Sequence, residues 1–336
     1  MTHFSAAKRR GRSAALWGTR AAVAEALQAW VKPEVGPPGV SADRVIFGSR
    51  ADWAFFVSIT AAWDSFAGRK DFHSVNILPL LISGTALAMA MMVVVWFFAR
   101  RMNNAGIVDI WGSCGFTPVA VFYGVFGSGH MIRNALISAM VFAWSFRLGM
   151  HLYKRVMSHH PEEDPRYTAL RTQFPKHTWL MFFGFFQLQA VLIGVLSIAI
   201  ALACANPSPG IGFFEVAGVI LWLVAIGGES IADMQLKLFK AQPALKGRVC
   251  DIGLWKYSRH PNYFFEWMVW IAYFVFALGS PLSWLGIASP LLMLYFLTCV
   301  TGIPPAEARS LATRGEAYRA YQRRTSPFIP WIPKKP

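Results

Sequence analysis

The stretch GLWKYSRHPNYFFE, residues Gly253–Glu266, places basic, aromatic, amide and carboxylate side chains directly ahead of a long run without charge. A polar cluster at the mouth of an apolar segment is costly unless a partner satisfies its groups. Pro261 has no amide hydrogen and suits the first turn of a helix, so a helix is predicted to begin near it. The stretch therefore indicates a membrane helix with a polar site at its start. The alternative is a basic helix edge whose long side chains reach the lipid headgroups.

The charges of this stretch suit an anionic ligand. Arg259 can bind a phosphate through two parallel hydrogen bonds, and Lys256 adds a point charge. Asn262, Tyr263 and Glu266 are expected in the first turns of the new helix, near the positive end of its dipole. The pattern predicts an anion site where this helix begins.

Composition sets the class of protein. Hydrophobic residues make up 55% of the chain and charged residues 15%, which excludes an ordinary soluble domain. The formal net charge is +15, and the basic residues alternate with apolar segments, which favours membrane topology over nucleic-acid binding. The four cysteines have no paired spacing, and His159 and His160 lie in a polar loop without a histidine one turn away. No metal site is therefore predicted.

Charge-free runs predict an all-α, polytopic bundle of about seven transmembrane helices. With this count the basic segments, at Arg100, His151–His177, Asp233–Arg259 and the C-terminal tail, all fall on one side. The positive-inside rule places that side in the cytosol. The predicted spans are Leu78–Phe98, Ser113–Gly129, Met131–Met150, Trp179–Ala203, Ile211–Ile231, Phe264–Leu278 and Leu282–Val300.

Residues 1–77 form a basic N-terminal extension and linker, and residues 78–336 form the membrane-embedded domain. Met1–Lys32 is rich in Lys and Arg, which suits a basic cytosolic tail or a mitochondrial-type presequence. Lys32–Val40 is rich in Pro and Gly and is interpreted as a linker. Trp53–Trp63 is too short for a span and is expected to form a surface or re-entrant helix, unless it belongs to an eighth span.

A second group of charges precedes the opening stretch. Glu229 and Asp233 lie four residues apart, so they share one face of a helix. If that helix continues, Lys237 and Lys240 recur near the same face. Because these charges lead toward Arg259, we predict that both groups belong to one binding site. The alternative is a solvent-exposed helix edge whose acids and bases satisfy one another.

Three segments resemble a known family: GLWKYSRHPNYFFE, the upstream ADMQLKLFK and the downstream GEAYRAYQRRTSPFIPWIP. They are similar to the C-terminal half of the steroid 5α-reductase and sterol C14/C7 reductase superfamily, and most similar to its DUF1295 branch. With NAGIVDIWGSCGF and RLGMHLYKR, the resemblance covers about Leu78–Pro333. It implies an oxidoreductase, similar to 3-oxo-5α-steroid 4-dehydrogenases, that binds NADPH on the cytosolic side. Such an enzyme transfers hydride to an activated C=C bond of a steroid-like or other lipid.

The resemblance also implies roles for single residues. Those on the upstream helix would hold the adenosine and phosphates of NADPH: Asp233, Gln235, Lys237 and Lys240. Those of the later motif would surround the pyrophosphate and the nicotinamide ribose: Tyr257, Arg259, His260, Asn262 and Tyr263. Glu266 would contact the nicotinamide amide or take part in the chemistry. No glycine signature of a Rossmann fold is present, so the cofactor would lie inside the helical bundle.

Reduction of an enone also requires a proton donor near the ketone oxygen. In 5α-reductases a Glu and a Tyr of the N-terminal spans supply it, and that pair is not evident here. Besides Glu266, the candidates are Asp109, Tyr123 and Glu229, with helix capping as the alternative role of Asp109. The identity of the lipid therefore stays open.

Two other classes of function stay open. Isoprenylcysteine and phospholipid methyltransferases share a related RHP-x-Y segment but use S-adenosylmethionine, which has no phosphates to engage Lys237, Lys240 and Arg259. A transporter or lipid-binding scaffold predicts inverted repeats, and no such repeat is evident. The expected location is the endoplasmic reticulum in a eukaryote or the inner membrane in a bacterium.

Overall fold

A computed structural model of the protein describes residues 77–159 and 162–335, without the side chain of His159. The predictions for the N-terminal extension lie outside these residues: the basic tail or presequence, the linker, the Trp53–Trp63 helix and an eighth span. His160 also lies outside them.

The described residues form an all-α structure, as predicted. Short 3-10 turns at Pro243–Leu245, Gly253–Lys256 and Ser283–Ile287, and a π turn at Phe296–Val300, connect some of the helices. The α-helices are α1 Ile77–Met102, α2 Ile107–Cys114, α3 Phe116–Phe126, α4 Met131–His159, α5 Pro165–Gln173, α6 Thr178–Leu196, α7 Ile198–Cys204, α8 Phe213–Ala241, α9 Pro261–Ala277, α10 Ala288–Tyr295 and α11 Ile303–Arg324.

Five helical segments of the described chain are long and apolar enough to cross a membrane. Large apolar side chains on their surfaces are exposed, among them Leu78, Phe97 and Leu223, as expected where lipid surrounds the bundle. The protein is therefore a polytopic helical membrane protein. The five segments are Ile77–Met102, Met131–Ser158, Thr178–Leu196, Phe213–Ala241 and Ser283–Arg324.

Two other predicted spans are shorter in the structure. Ser113–Gly129 falls on α2 and α3, which are separated at Gly115, where a side chain would press on the carbonyl of Trp111. Phe264–Leu278 falls on α9, whose 17 residues extend for about 26 Å, slightly less than the hydrocarbon core of a bilayer. That these two segments cross the membrane, which the count of seven spans requires, stays a prediction.

On the side of the bundle opposite the basic loops, a buried ion pair joins α4 to α8. Arg133 and Glu215 are 2% and 3% exposed, and Nε of Arg133 lies 2.7 Å from Oε1 of Glu215. The remaining guanidinium nitrogens donate to the carbonyls of Asn206, Ser208 and Gly210 at 2.7–2.9 Å. The first turns of α4 and α8 are therefore held together by a buried, fully engaged guanidinium.

The polar loop on the basic side contains α5, which begins at Pro165. Asp164 caps this helix, because its carboxylate accepts the backbone N–H of Arg166 at 3.0 Å. Burial acts to raise the pKa of Asp164, but the hydrogen bonds from Arg166 prevail and lower it to about 2. Glu163 accepts the backbone N–H of Ala105 at 2.6 Å, which holds the loop against the turn between α1 and α2.

Aromatic rings form the centre of the bundle. Trp144 of α4 and Trp270 of α9 meet edge to face, with ring centroids 5.2 Å apart. Phe116 of α3 contacts both indoles in the same geometry, and Tyr273 contacts Trp270. Edge-to-face contacts are the preferred geometry for buried rings, so this cluster fixes how α3, α4 and α9 pack.

Candidate functional site

The two predicted groups of charges meet where α8 and α9 approach each other. Nδ2 of Asn262, in the first turn of α9, donates to Oδ1 of Asp233 on α8 at 3.2 Å. Nη1 of Arg147, on α4, lies 3.3 Å from the other oxygen of Asp233. The structure thus brings the upstream helix and the RHPNY segment together, as the sequence predicts, and adds Arg147 to them.

The turn before α9 is anchored on the last turns of α8. Oε1 of Gln235 accepts the backbone N–H of Leu254 at 2.9 Å, and the indole N–H of Trp255 donates to the carbonyl of Ala232 at 2.9 Å. Gly253 has a φ of +56° and lies against the Gln235 amide, so a side chain at this position would be strained and obstructed. Gln235 therefore positions the motif, and cofactor binding by Gln235 stays a prediction.

Two buried carboxyl groups lie deeper in the bundle than Asp233. Glu229 is 5% exposed and forms an ion pair with Arg147 through Oε1. Glu266 is 8% exposed and accepts the indole N–H groups of Trp144 and Trp270 at 2.9 and 3.0 Å. The charges of Glu229 and Glu266 both act on the guanidinium of Arg147, so two buried carboxyl groups share one cation.

Several buried polar atoms at this centre have no hydrogen-bond partner within the described part of the chain. Among the described residues they include Oε2 of Glu229, Oδ1 of Asn262 and Nε of Arg147. Buried polar groups in native proteins are nearly always hydrogen-bonded, so each such atom requires an explanation. Two of these atoms are acceptors and one is a donor, and the three helices that carry them meet at Asp233. Such a set is suited to a ligand that has both a hydrogen-bond donor and an acceptor.

Arg259 and His260 contact α11 and the C-terminal segment. Nε of Arg259 lies 2.6 Å from Glu307, and its Nη1 donates to the carbonyls of Gln322 and Thr325. His260 lies 3.3 Å from the same carboxylate and stacks on Tyr263 with ring centroids 5.4 Å apart. Burial lowers the pKa of His260, although Glu307 acts in the opposite direction. Arg259 thus has protein partners in this structure, and phosphate binding by Arg259 stays a prediction.

The C-terminal segment pairs with the motif through its backbone. The N–H of Arg259 donates to the carbonyl of Ser326 at 2.8 Å, and the N–H of Trp331 donates to the carbonyl of Tyr257 at 2.9 Å. The hydroxyl of Ser258 donates to the carbonyl of Phe328 at 2.7 Å. Glu307 and this segment therefore determine the position of the residues that precede α9, a role that sequence reasoning missed.

Replacing Glu307 with alanine is expected to release this segment from the motif. The change removes the acceptor of Arg259 and His260, which costs about 2 kcal/mol of local stability because the Arg259 guanidinium is mostly buried. Amide hydrogen exchange of Arg259 and Trp331 should therefore accelerate. The control is Glu316→Ala, which removes an exposed carboxylate of the same helix. Equal exchange in the two variants would contradict the role given to Glu307.

The remaining predicted cofactor residues are exposed or only partly buried. Lys237, Lys240 and Tyr257 are exposed. Tyr263 lies within electrostatic range of Asp233 and also of Arg155 and Arg166, two bases that sequence reasoning did not assign to the site. Both belong to the polar segment His151–His177. The sequence shows their charge, but it does not show that the fold brings them near Tyr263.

Asp109 and Tyr123 have other partners. Asp109 accepts the Tyr167 hydroxyl at 2.6 Å and Arg166 at 2.8 Å, so it holds α5 in place. Burial, followed by the Asp109 charge, raises the pKa of Tyr167. The N-cap of α2 is Gly106, so Asp109 does not cap this helix. Tyr123 bonds Ser197 at 3.1 Å in the apolar core. Within the described chain, no contact places either residue beside Glu229 or Glu266, so their catalytic roles stay predictions.

A separate apolar groove of about 660 Å³ lies between α1, α2 and α4. Its walls include Phe98, Trp111 and Tyr153, and none of the predicted site residues lines it. The groove is therefore distinct from the polar centre at Glu229, Asn262 and Arg147.

Comparison with known proteins identifies the family. Residues 95–325 match the family model described as "Protein of unknown function (DUF1295)". The chain is also similar to a protein of Schizosaccharomyces pombe (strain 972) that is described as uncharacterized. The two are 23% identical over 296 residues, which cover 79% of this chain and 84% of that protein. No solved structure shows a significant match. Since the family model covers more than half of the chain, including the polar centre, the chain belongs to the DUF1295 family.

Proposed function

We propose that the protein is a membrane-bound reductase that uses NADPH to reduce an activated C=C bond of a steroid-like or other lipid. The observation that carries the proposal is the set of buried, unpartnered atoms on Glu229, Asn262 and Arg147. A carboxamide such as that of nicotinamide offers an N–H₂ group for two acceptors and a carbonyl for one donor. The resemblance of these segments to the steroid 5α-reductase superfamily supports the same assignment.

The side chains of the site suit NADPH in their chemistry and in their sequence along α8 and α9. Arg147, Glu229 and Asn262 would hold the nicotinamide end, while Asp233 and Lys237 follow along α8 toward the membrane surface. When bound, NADPH supplies the hydride. The lipid-facing location of the bundle suits a substrate that enters from the bilayer.

The proton has a separate source in this proposal. Glu229 and Glu266 share the single cation of Arg147, so one of the two buried carboxyl groups can retain a proton without leaving a cation unpaired. The indoles of Trp144 and Trp270 hold Glu266 in place, whereas Oε2 of Glu229 has no donor. Because Arg147 and the carboxamide would engage both oxygens of Glu229, we assign the proton to the Glu229–Glu266 pair as a whole and not to Glu229 alone.

One observation favours a second candidate function. Glu229, Asp233 and Glu266 place three carboxyl groups beside Arg147, and such a centre would attract the cationic sulfur of S-adenosylmethionine. A methyltransferase would use this charge directly. The unpartnered donor on Arg147 fits a carboxamide better than a sulfonium ion, so we give the reductase precedence.

Ligand-induced stabilisation tests the choice between them. Detergent-solubilised protein is heated with NADPH, NADH or S-adenosylmethionine, and a ligand at 100 times its Kd should add about 2.7 kcal/mol of stability. We expect NADPH to stabilise the protein and S-adenosylmethionine to have no effect. Stabilisation by S-adenosylmethionine alone would reject the reductase and support the methyltransferase.

The same assay locates the ligand. Asn262→Leu keeps the volume of the side chain but removes the acceptor Oδ1, so NADPH affinity should fall about tenfold, the value of one lost hydrogen bond. Gln173→Leu removes an exposed amide at the end of α5 and should leave the affinity unchanged. Equal NADPH affinity in both variants would show that the nicotinamide does not contact Asn262.

A further inference from the structure

The C-terminal segment, residues 326–335, leaves several large apolar side chains uncovered. Ile329, Trp331 and Ile332 are 56%, 71% and 77% exposed, whereas Phe328 is buried. Single exposed apolar side chains are ordinary on protein surfaces, but three within four residues are a local concentration of the kind that marks contact with another surface. We refer to Ile329, Trp331 and Ile332 as the C-terminal patch.

The patch lies beside the first turns of α9. The N–H of Trp331 donates to the carbonyl of Tyr257, which precedes this helix, at 2.9 Å. The ring centroid of Phe328 lies 5.8 Å from that of Phe264 and 5.7 Å from that of Trp267, both in the first two turns of α9. Because α9 leads from the polar motif into the charge-free run of the sequence, the surface of a bilayer is expected at this level.

Basic side chains accompany the patch. Lys334 and Lys335 follow it directly and are exposed, and so is Lys256 in the turn before α9. The N–H of Lys334 donates to the carbonyl of Arg324 at 2.8 Å, which holds the lysine pair against the end of α11. Arg324 pairs with Asp251, and in the described part of the chain no ion pair includes one of the three lysines. Exposed cations therefore border the patch.

We propose that the C-terminal patch and its lysines bind the surface of a bilayer that contains anionic lipids. Trp and Ile side chains enter the boundary between headgroups and acyl chains, while Lys side chains bind the headgroup phosphates. Charge complementarity and position select this occupant together. The lysines favour a negative surface, and the contacts of Phe328 put the patch at the end of an apolar helix, where headgroups are expected.

The same contact reaches the polar motif ahead of α9. The N–H of Arg259 donates to the carbonyl of Ser326 at 2.8 Å, and the hydroxyl of Ser258 donates to the carbonyl of Phe328 at 2.7 Å. A bilayer that holds the patch therefore restrains the backbone of the motif through these bonds. Anionic lipid thereby stabilises the candidate site, whichever ligand the site takes.

Amide hydrogen exchange in nanodiscs tests this inference. The full chain is placed in nanodiscs of phosphatidylcholine, alone or mixed with phosphatidylglycerol, with one copy or two copies in each disc. Exchange of the Arg259 amide is measured, because this amide bonds the C-terminal segment and Arg259 is unchanged in every variant. The unfolding temperature of each variant establishes that it is folded. Three double variants differ only in which exposed side chains they change: Trp331→Ser/Ile332→Ser, Lys334→Gln/Lys335→Gln and the control Lys176→Gln/Lys246→Gln.

We expect phosphatidylglycerol to slow exchange of the Arg259 amide in the wild-type protein about fivefold or more, the effect of one lysine at an anionic surface. Lys334→Gln/Lys335→Gln should lose this dependence on lipid, because the charges that meet the headgroups are gone. Trp331→Ser/Ile332→Ser should exchange faster than the wild type in both lipid mixtures. The control should behave as the wild type does.

Four outcomes overturn the inference. Equal exchange of the wild-type protein in the two lipid mixtures shows that anionic lipid does not restrain the motif. A lipid effect that persists in Lys334→Gln/Lys335→Gln shows that the lipid acts elsewhere. Wild-type exchange in Trp331→Ser/Ile332→Ser shows that the patch does not enter the bilayer. Slow exchange only in discs with two copies assigns the patch to a second copy of the chain.

Discussion

Replacing Arg133 with methionine is expected to lower the free energy of unfolding by about 3–5 kcal/mol. The change leaves Glu215 buried without its cation, and it removes the donors of the carbonyls of Asn206, Ser208 and Gly210. Because these carbonyls form the turn between α7 and α8, the loss should appear as a lower unfolding temperature of the purified protein.

A paired substitution separates the charge from the packing. In Arg133→Met/Glu215→Leu no unpaired charge remains, and replacing both members of a buried ion pair by apolar residues is often neutral. We therefore expect the double variant to recover most of the stability lost in Arg133→Met. An unfolding temperature of Arg133→Met equal to that of the wild type would contradict the structural role of this ion pair.

Replacing Arg147 with methionine is expected to destabilise the protein by about 3 kcal/mol and to abolish stabilisation by NADPH. Arg147 is the cation that contacts both Glu229 and Asp233, and its Nε is one of the buried atoms without a partner. Its loss places three neighbouring carboxyl groups together without a positive charge. Thermal unfolding with and without NADPH measures both effects.

A second variant distinguishes folding from binding. Arg147→Met/Glu229→Gln removes the unpaired charge of Glu229, so we expect the protein to regain stability but not NADPH binding. Arg101→Met, a change at an exposed arginine at the end of α1, is the matched control and should leave both unaltered. Normal NADPH binding by Arg147→Met/Glu229→Gln would remove Arg147 from the proposed site.

The sequence predicts the polar centre better than it predicts the partners within it. Glu229 and Asp233 are four residues apart, so their shared helix face follows from helix geometry, and the structure joins Asp233 to Asn262 as expected. Arg147 is a lone base in an apolar run, so it is expected to face the interior of the bundle and not lipid. The carboxylates that Arg147 contacts depend on how α4 crosses α8. The local sequence does not determine that crossing.

For Arg259 and Glu266, too, the sequence predicts a polar site but not the residues that contact them. Arg259 was expected to bind phosphate because of its charge, but Glu307, far along the chain, lies 2.6 Å from its Nε. Glu266 was expected to contact a cofactor amide, and indole N–H groups engage both its oxygens. Trp270 lies four residues from Glu266, so that bond was predictable from helix geometry. The bond from Trp144 of α4 was not, because it depends on tertiary packing.

The helix boundaries differ from the predicted spans at two places. Hydropathy merges Ser113–Gly129 into one segment, and in the structure this segment contains the end of α2, Gly115 and α3. Gly115 has helical backbone angles and its N–H bonds the carbonyl of Trp111 at 2.9 Å, so the two helices follow each other with little interruption. Conversely, α8 continues past the predicted end at Ile231 to Ala241, because polar residues on one face do not end a helix that packs on the other.

The most direct test of the central claim is an experimental structure of the protein with NADPH bound. The account predicts density for the nicotinamide carboxamide within hydrogen-bonding distance of Oε2 of Glu229, Oδ1 of Asn262 and Nε of Arg147. Density for the nucleotide elsewhere, with these three atoms still unpartnered or filled only by water, would contradict it.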